Sequence, residues 1–291
     1  MVRRKHNMVK LIRWTADLIE ERKNENLEVG FVPTMGNLHL GHLSLLEEAL
    51  TEHRVVYFSI FVNPKQFGPK EDFNQYPRTL EQDVNLIESV GKKYANSKII
   101  IFAPENPNEV FPEEHNQTIS VYGLNNVLEG KLRPGHFDGV STVVYRLFQL
   151  IRPKQAYFGL KDYQQYLVIR QMVKDLALPI RITGMPIIRE ESGLALSSRN
   201  QYLSPEERRT ALILYSTLLE LKEIIAGKSK NLKLAQAKIQ EHFKDRNWNY
   251  IVLRDSENFS ENLDQSKNIT ILAVYQLGAT RLLDNMQVEV K

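Results

Sequence analysis

The sequence contains no cysteine. Disulfide bonds, thiolate metal sites and thiol nucleophiles are therefore excluded, and the composition suits a reducing compartment. No apolar run approaches the roughly 20 residues that span a bilayer. The basic stretch Arg3-Arg4-Lys5 is not followed by the apolar segment of a secretory signal peptide. These absences predict a cytoplasmic protein without a membrane segment.

The chain also lacks a dominant charge. It has 38 basic and 35 acidic residues, a net charge of +3 over 291 residues. So small an excess, spread along the chain, offers no basic face for nucleic acid. A hydrophobic content of 42% is ordinary for a globular protein and leaves room for two domains.

Apolar runs alternate with amphipathic segments over the first two thirds of the chain. We predict strands near 28–32, 54–62, 98–102, 155–158 and 180–185, with helices near 43–50, 79–90, 141–151 and 162–176. The strand runs are almost continuously apolar, which is typical of parallel strands covered on both faces. We therefore expect an α/β fold with a Rossmann-like parallel sheet. A helix over 9–26 and a short edge strand over 118–122 are also predicted.

The pattern changes after about residue 188. Ser204, Pro205 and Glu207 match the N-cap, first and third positions of a helix, which should continue to about residue 226. A second helix near 232–243 and strands near 250–254, 269–275 and 281–283 follow. We predict a catalytic domain of residues 1–188 that binds nucleotide and substrate, and a smaller α+β lid domain of residues 189–291.

Residues 31–42 (FVPTMGNLHLGH) join a predicted strand to a predicted helix. A helix N-terminus attracts anions, and glycines at 36 and 41 let a phosphate approach the backbone. His39 and His42 could then donate hydrogen bonds to phosphate oxygens, which suggests a nucleoside triphosphate site. Equally, the two histidines could simply cap or line the start of the helix.

Polar side chains follow two other strands. Asn63 and Gln66 come after the second, and Lys161 and Asp162 after the one that ends near residue 158. Ligands of open α/β sheets bind beyond the carboxyl ends of the strands, so these groups should face one crevice. A lysine suits phosphate and a carboxylate suits Mg²⁺. Loop-capping amides and an ordinary helix cap are the structural alternatives.

Two further segments could bind an anion. Arg133 lies in a glycine-punctuated basic loop, where it is either a ligand contact or a simple surface charge. Ser197, Ser198 and Arg199 combine two hydroxyl groups with a guanidinium and could hold phosphates. Serines in such a loop also form local turns, and the sequence leaves that alternative open.

Four motifs, in this order, resemble those of the pantothenate synthetases, a family of adenylate-forming nucleotidyltransferases. They are Pro33-Thr34-Met35-Gly36 with His39 and His42, Phe61-Val62-Asn63-Pro64 with Gln66-Phe67-Gly68, Gly159 with Lys161-Asp162 and Gln164-Gln165, and Ser197-Ser198-Arg199-Asn200. The likeness runs from about Val29 to Arg208. It implies an ATP-dependent ligase that joins pantoate to β-alanine through a pantoyl-adenylate and releases AMP and pyrophosphate. It also implies Mg²⁺ as a cofactor and a homodimer.

The resemblance assigns roles residue by residue. His39, His42, Lys161 and Arg199 would be catalytic, with His42 the usual proton donor, and Asp162 would help place Mg²⁺. Pantoate would meet Gln66 and Gln165, with Asn63 and Arg133 as further substrate contacts. The ATP contacts would be Met35, Gly36, Asn37, Leu38, His39, Leu40, Gly41, His42, Gly159, Leu160, Lys161, Asp162, Ile188, Leu196, Ser197, Ser198 and Arg199.

Three of these positions differ from the commonest family pattern. Leu160 stands where glutamate is frequent, Leu40 replaces a polar residue, and Asn37 replaces a small one. Each lies between two other residues of the ATP-contact list, and we expect its own side chain to point away from the phosphates. The resemblance therefore still implies the same reaction.

Two other functions remain compatible with the sequence. A related nucleotidyltransferase could transfer AMP to a phosphorylated molecule, but it would not need Gln66 and Gln165 together. A non-catalytic nucleotide-binding regulator would not need both histidines with Lys161 and Asp162. A class I tRNA synthetase is disfavoured because the chain has no room for an anticodon-binding module.

Overall fold

The computed structural model describes residues 8–69, 71–114, 116–227 and 231–290. The basic stretch Arg3-Arg4-Lys5 lies outside these residues. The chain forms two compact units, Met1–Pro186 and Ile187–Lys291. In the described part of the chain, no helix has the length and apolar character needed to cross a membrane.

The first unit is built on a six-stranded sheet. Its strands are β1 (Val9–Ile12), β2 (Val29–Thr34), β3 (Val55–Ile60), β4 (Lys98–Phe102), β5 (Gln155–Gly159) and β6 (Arg181–Met185). Its helices are α1 (Thr15–Lys23), α2 (Leu40–Glu52), α3 (Leu80–Gly91), α4 (Glu129–Leu132), α5 (His136–Ile151) and α6 (Tyr163–Asp175). The strand order is β1-β4-β3-β2-β5-β6, and every neighbouring pair is parallel. The predicted α/β fold is confirmed.

Both faces of this sheet are covered by helices. Successive strand residues alternate between two apolar cores, one shared with α1, α5 and α6 and the other with α2 and α3. The first core includes Phe31, Tyr57 and Ile100, and the second includes Val32, Phe58 and Ile101. Burial on both sides explains why the strands are continuously apolar rather than alternating.

Two predicted elements are wrong. Residues 9–12 are strand β1, which pairs with the edge of the sheet at β4, and α1 starts only at Thr15. Four residues are too few to show a period, so pairing with β4 decided their conformation. Residues 118–122 form no strand, because Ile119 donates its N–H to Thr142 Oγ1 of α5 instead of to a neighbouring strand.

The order of the strands places a crevice beside β2. From β2 the chain continues to β3 on one side, whereas β5 pairs with β2 on the other. Such a reversal is a topological switch point, where open α/β sheets bind ligands beyond the carboxyl ends of the strands. The loops after β2 and β5 therefore border the expected binding site.

The second unit pairs two helices with an antiparallel sheet. It comprises α7 (Pro205–Ala226), α8 (Leu232–His242), β7 (Trp248–Asp255), β8 (Asn268–Leu277) and β9 (Thr280–Glu289), with strand order β7-β8-β9. The predicted start of α7 is confirmed. Ser204 Oγ accepts the Glu207 N–H at 3.2 Å, and the Glu207 carboxylate accepts the Ser204 N–H at 2.8 Å.

Candidate active site

The loop between β2 and α2 is built around a glycine. Gly36 has a φ of +82°, and a Cβ there would lie 3.0 Å from both Asp83 Oδ2 and Ile60 Cγ2. Both the left-handed backbone and the close neighbours favour glycine at this position. Asn37 also has a positive φ, +50°, which asparagine tolerates better than most residues.

A buried carboxylate anchors the same loop. Asp83 of α3 accepts the N–H groups of Asn37 at 3.0 Å and Leu38 at 2.8 Å, and it is 1% exposed. Burial raises its pKa, while these backbone hydrogen bonds act in the opposite direction. Asp83 was not among the residues predicted for the site. Its signal in the sequence is a carboxylate on the same helix face as the apolar residues Leu80 and Ile87.

His39 and His42 form a reciprocal cap at the start of α2. His39 Nδ1 accepts the Gly41 N–H at 3.1 Å, and His42 Nδ1 accepts the His39 N–H at 3.3 Å. Because each Nδ1 accepts a hydrogen bond, the proton of each neutral ring lies on Nε2. The ring centroids are 4.1 Å apart. The capping role that the sequence left open is present, and each ring keeps an Nε2–H donor.

Both rings are neutral near pH 7. Burial, reinforced by the charge of Lys161, lowers the pKa of His39 to about 4. Burial and the adjacent His39 lower the pKa of His42 to about 3. Asp162 opposes both shifts, so the two histidines of the β2 loop and the Lys161–Asp162 pair of the β5 loop share one electrostatic environment.

Lys161 and Asp162 lie in a short 3₁₀ helix, Leu160–Asp162, directly after Gly159 at the end of β5. Lys161 Nζ is 3.2 Å from Asp162 Oδ1, and these side chains are 21% and 49% exposed. A cation beside a partly solvated carboxylate suits a phosphate together with its metal ion.

Leucines occupy two of the three unusual positions. Leu40 is 67% exposed. The Leu160 side chain covers Gly184 of β6, where a Cβ would lie 2.5 Å from Leu160 Cδ2. Both leucines are apolar and add no charge near Lys161 and Asp162.

Gln66 follows β3 in the 3₁₀ helix Pro64–Gln66 and is 9% exposed. Its Oε1 accepts a hydrogen bond from Asn63 Nδ2 at 3.0 Å, and its Nε2 contacts Met35 Sδ at 3.0 Å. A thioether is a weak acceptor, so the Gln66 amide nitrogen keeps most of its capacity to donate. Asn63 is 1% exposed, and its Oδ1 caps the 3₁₀ helix by accepting the Lys65 N–H.

The adjacent glutamines of α6 have different environments. Gln164 is buried and donates to the carbonyls of Leu124 and Val127, both at 2.8 Å, while its Oε1 accepts the Glu129 N–H. Gln165 is half-buried and makes no side-chain hydrogen bond to the described residues. Of the pair, Gln165 is therefore the one with an amide available to a ligand.

Arg133 is engaged by protein groups. Its Nε donates to Glu71 Oε1 at 2.8 Å, its Nη2 bonds the other oxygen of the same carboxylate, and its Nη1 lies 3.0 Å from His136 Nε2. Glu71 and His136 were not among the residues predicted for the site. Glu71 lies 62 positions from Arg133, too far for any local pattern to indicate the contact.

The Ser-Ser-Arg motif lies in the second unit, at the 3₁₀ helix Ser198–Tyr202. Ser197 Oγ accepts the Arg199 N–H at 3.3 Å, so the local turn that the sequence left open is present. Asn200 holds the motif by donating to the Ala195 carbonyl at 2.9 Å. Just before it, the Leu196 N–H donates to the Ile188 carbonyl at 3.0 Å.

Comparison with known proteins places the chain among ligases. The pantoate-beta-alanine ligase family model matches residues 6–287. The pantothenate synthetase of Aquifex aeolicus is 44% identical over 286 residues, which cover 97% of this chain and 99% of that protein. The crystal structure of pantothenate synthetase from Thermus thermophilus is similar with a TM-score of 0.86 and 42% identity, covering 95% of this chain and 98% of that one.

The chain belongs to the pantoate-beta-alanine ligase family. It is an ATP-dependent ligase that condenses pantoate with β-alanine to pantothenate. The predicted family, fold and enzyme class are confirmed. The crystal structure of the Francisella tularensis pantoate-beta-alanine ligase complexed with beta-gamma ATP and beta-alanine is also similar, with a TM-score of 0.75 and 32% identity over 96% of this chain and 97% of that one.

Proposed function

We propose that the ligase binds ATP and pantoate in the crevice beyond β2, β3 and β5. The pantoate carboxylate attacks the α-phosphorus of ATP and pyrophosphate leaves, forming pantoyl-adenylate. The β-alanine amine then attacks the acyl carbon and AMP leaves. The observation that carries this proposal is the shared environment of His39 and His42 with Lys161 and Asp162 at the switch point of the sheet.

The histidines act as neutral hydrogen-bond donors. Their Nδ1 atoms are occupied by backbone N–H groups, which fixes the Nε2–H groups as the donors toward phosphate oxygens. His42 therefore stabilises charge on the pentacoordinate phosphorus by donating a hydrogen bond, without transferring its proton. Lys161 contributes a positive charge to the same oxygens. The remaining nucleotide contacts are Met35, Gly36, Asn37, Leu38, Leu40, Gly41, Gly159, Leu160, Ile188 and Leu196.

Asp162 is the residue that we propose for Mg²⁺. Among the residues that the structure describes, no group of three or more His, Asp or Glu side chains could hold a metal ion. The single carboxylate of Asp162 still fits Mg²⁺ bound with ATP, because this ion commonly uses one or two carboxylates together with substrate phosphates and water. Bound there, Mg²⁺ would neutralise phosphate charge.

Pantoate is recognised by amides in this proposal. Gln66 Nε2, whose partner is a thioether, and Gln165, whose amide is available, would bond the hydroxyl and carboxylate oxygens of pantoate. Asn63 and Arg133, expected as substrate contacts, have their polar atoms engaged by protein groups. We therefore assign them a role through Gln66 rather than a contact with pantoate.

The second unit supplies the other phosphate contacts in our proposal. Ser197, Ser198 and Arg199 would hold the β- and γ-phosphates. The second unit, which begins at Ile187, would act as a lid.

We further propose a cytoplasmic homodimer. The family resemblance supports the homodimer, and the absence of cysteine supports the cytoplasmic location.

Product analysis tests the reaction and its metal requirement. Protein mixed with ATP, Mg²⁺ and pantoate should release AMP and pyrophosphate in quantity only when β-alanine is added, together with pantothenate. EDTA in excess over Mg²⁺ should abolish release. Full turnover in EDTA would contradict the role given to Asp162, and the absence of AMP with all substrates present would contradict the two-step scheme.

Gln165→Ala should raise the KM for pantoate roughly tenfold while changing the KM for ATP little. One lost hydrogen bond to a charged or hydroxyl oxygen is worth about 1–3 kcal/mol. Initial rates at varied pantoate and saturating ATP measure the effect. Gln164→Ala is the matched control, because it removes buried structural bonds: it should lower Tm and leave the KM for pantoate unchanged. Equal KM values in the wild type and Gln165→Ala would refute the assignment.

A further inference from the structure

The main-chain carbonyl of Gln66 is held by a histidine of α5. His136 Nδ1 lies 2.8 Å from Gln66 O, and a carbonyl oxygen can only accept, so His136 carries its proton on Nδ1. Its Nε2 then accepts from Arg133 Nη1 at 3.0 Å. Burial and the Arg133 charge lower the pKa of His136 to about 4, which keeps the ring neutral in this arrangement.

A bidentate ion pair fixes the arginine behind that histidine. Arg133 and Glu71 meet through two parallel hydrogen bonds, and their side chains are only 17% and 25% exposed. Such a fork sets the plane of the guanidinium as well as its position. The guanidinium also lies 3.5 Å from Gln66 O through Nη2. Glu71, Arg133 and His136 thus form a chain of contacts that ends on the Gln66 backbone.

The side chain of Gln66 is held from the other direction. Asn63 Nδ2 donates to both Gln66 Oε1 at 3.0 Å and the Gly139 carbonyl at 3.1 Å. Gly139 brings α5 against this segment, since a Cβ there would lie 2.1 Å from Lys65 O and 2.8 Å from Gln66 N. An alanine at this position would push the two backbones apart.

We propose that these five residues, Asn63, Glu71, Arg133, His136 and Gly139, form a clamp that positions Gln66 and thereby sets the affinity for pantoate. The Gln66 clamp occupies the main-chain oxygen and Oε1 of Gln66, and among the described residues the side-chain Nε2 contacts only the thioether of Met35. In this proposal the five act through Gln66, so they are positioning residues. The inference rests on the role proposed for Gln66 in binding pantoate.

The clamp predicts a specific kinetic signature. A displacement of about 1 Å in a positioned group can cost up to 10²-fold in rate or binding. Because Gln66 contacts pantoate and not ATP, losing the clamp should raise the KM for pantoate and leave the KM for ATP near its wild-type value. A purely structural role would instead lower Tm and the active fraction, and therefore kcat, at unchanged KM.

Two substitutions at His136 separate its two hydrogen bonds. Asparagine has its amide near the position of the histidine Nδ1, so His136→Asn can still donate to Gln66 O. Glutamine reaches the position of Nε2, so His136→Gln keeps the partner of Arg133 but loses the bond to Gln66 O. We expect the KM for pantoate to rise about tenfold in His136→Gln and less than threefold in His136→Asn. Arg133→Lys, which removes the fork and the bond to His136, is the second variant should His136→Gln fail to fold.

The decisive experiment repeats each variant in a Gln66→Ala background. If the clamp acts through Gln66, His136→Gln and Arg133→Lys should cause no further rise in the KM for pantoate there, since coupled residues are not additive. The same fold-change in both backgrounds, or an unchanged KM in the single variants, would overturn the clamp. If Gln66→Ala itself leaves the KM for pantoate unchanged, Gln66 does not bind pantoate, and the proposed role of the clamp is contradicted as well. If Gln66→Ala raises this KM but the clamp variants do not, only the clamp is contradicted.

Discussion

The His42→Ala variant should form pantoyl-adenylate about 10²–10³ times more slowly than the wild type. That is the usual cost of removing one hydrogen-bond donor aimed at developing charge. The substitution removes the Nε2–H group, which is fixed toward the site because Nδ1 accepts the His39 N–H. Single-turnover release of pyrophosphate from ATP and pantoate measures this step without the later reaction of β-alanine.

Two variants distinguish the role of His42 as a hydrogen-bond donor from its role in capping α2. His42→Asn can keep an acceptor for the His39 N–H but has no group at the Nε2 position, so its rate should fall as far as in His42→Ala. His42→Gln places an amide near Nε2 and loses the cap, so part of the rate should return. A wild-type rate in His42→Ala would refute the role of this residue.

The same assignment predicts the effect of pH. The pKa of His42 is lowered to about 3 by burial and by His39, so the ring gains its proton only as the pH falls toward that value. Between about pH 5 and 8, the adenylation rate should therefore show no loss caused by protonation of His42. A titration near 6.5 that disappears in His42→Asn would mean that the ring changes charge in the working range.

The Lys161→Ala variant should lose about 10²–10³-fold in the rate of adenylation, with a higher KM for ATP. Its ammonium is the positive charge next to Asp162 and His39 at the end of β5, and it can neutralise the triphosphate. Removing it leaves developing negative charge on the phosphate oxygens without this partner. Lys161→Arg keeps the charge in a bulkier, planar form and should restore only part of the rate.

A matched control exists at the other end of the same strand. Lys154 precedes β5, is 57% exposed and pairs with the exposed Glu28 at 3.1 Å. Lys154→Ala should therefore leave adenylation unchanged and alter stability by no more than about 0.5 kcal/mol. Equal losses in Lys161→Ala and Lys154→Ala would show that general charge, and not the position of Lys161, supports the reaction.

The fold class and the locations of the polar loops could be predicted from the amino-acid sequence. Almost continuously apolar runs such as 54–62 can be buried only when both faces of a strand are covered, and that condition indicated the parallel sheet. The capping box at Ser204 and Glu207 lies within four residues, so it could be identified without the rest of the chain. Motifs placed after strands then predicted one crevice, because parallel strands end at the same edge.

Which polar group has a protein partner, and which is available to a ligand, depends on how the folded chain packs. Gln164 and Gln165 are neighbours in sequence, yet only Gln164 is enclosed by residues 124–129. Arg133 is a plausible anion ligand by sequence, but it meets Glu71 from a distant loop. Local patterns specify helices, strands and caps because those contacts span a few residues. Partners brought together across more than 30 residues depend on how the elements pack, and only the folded chain determines them.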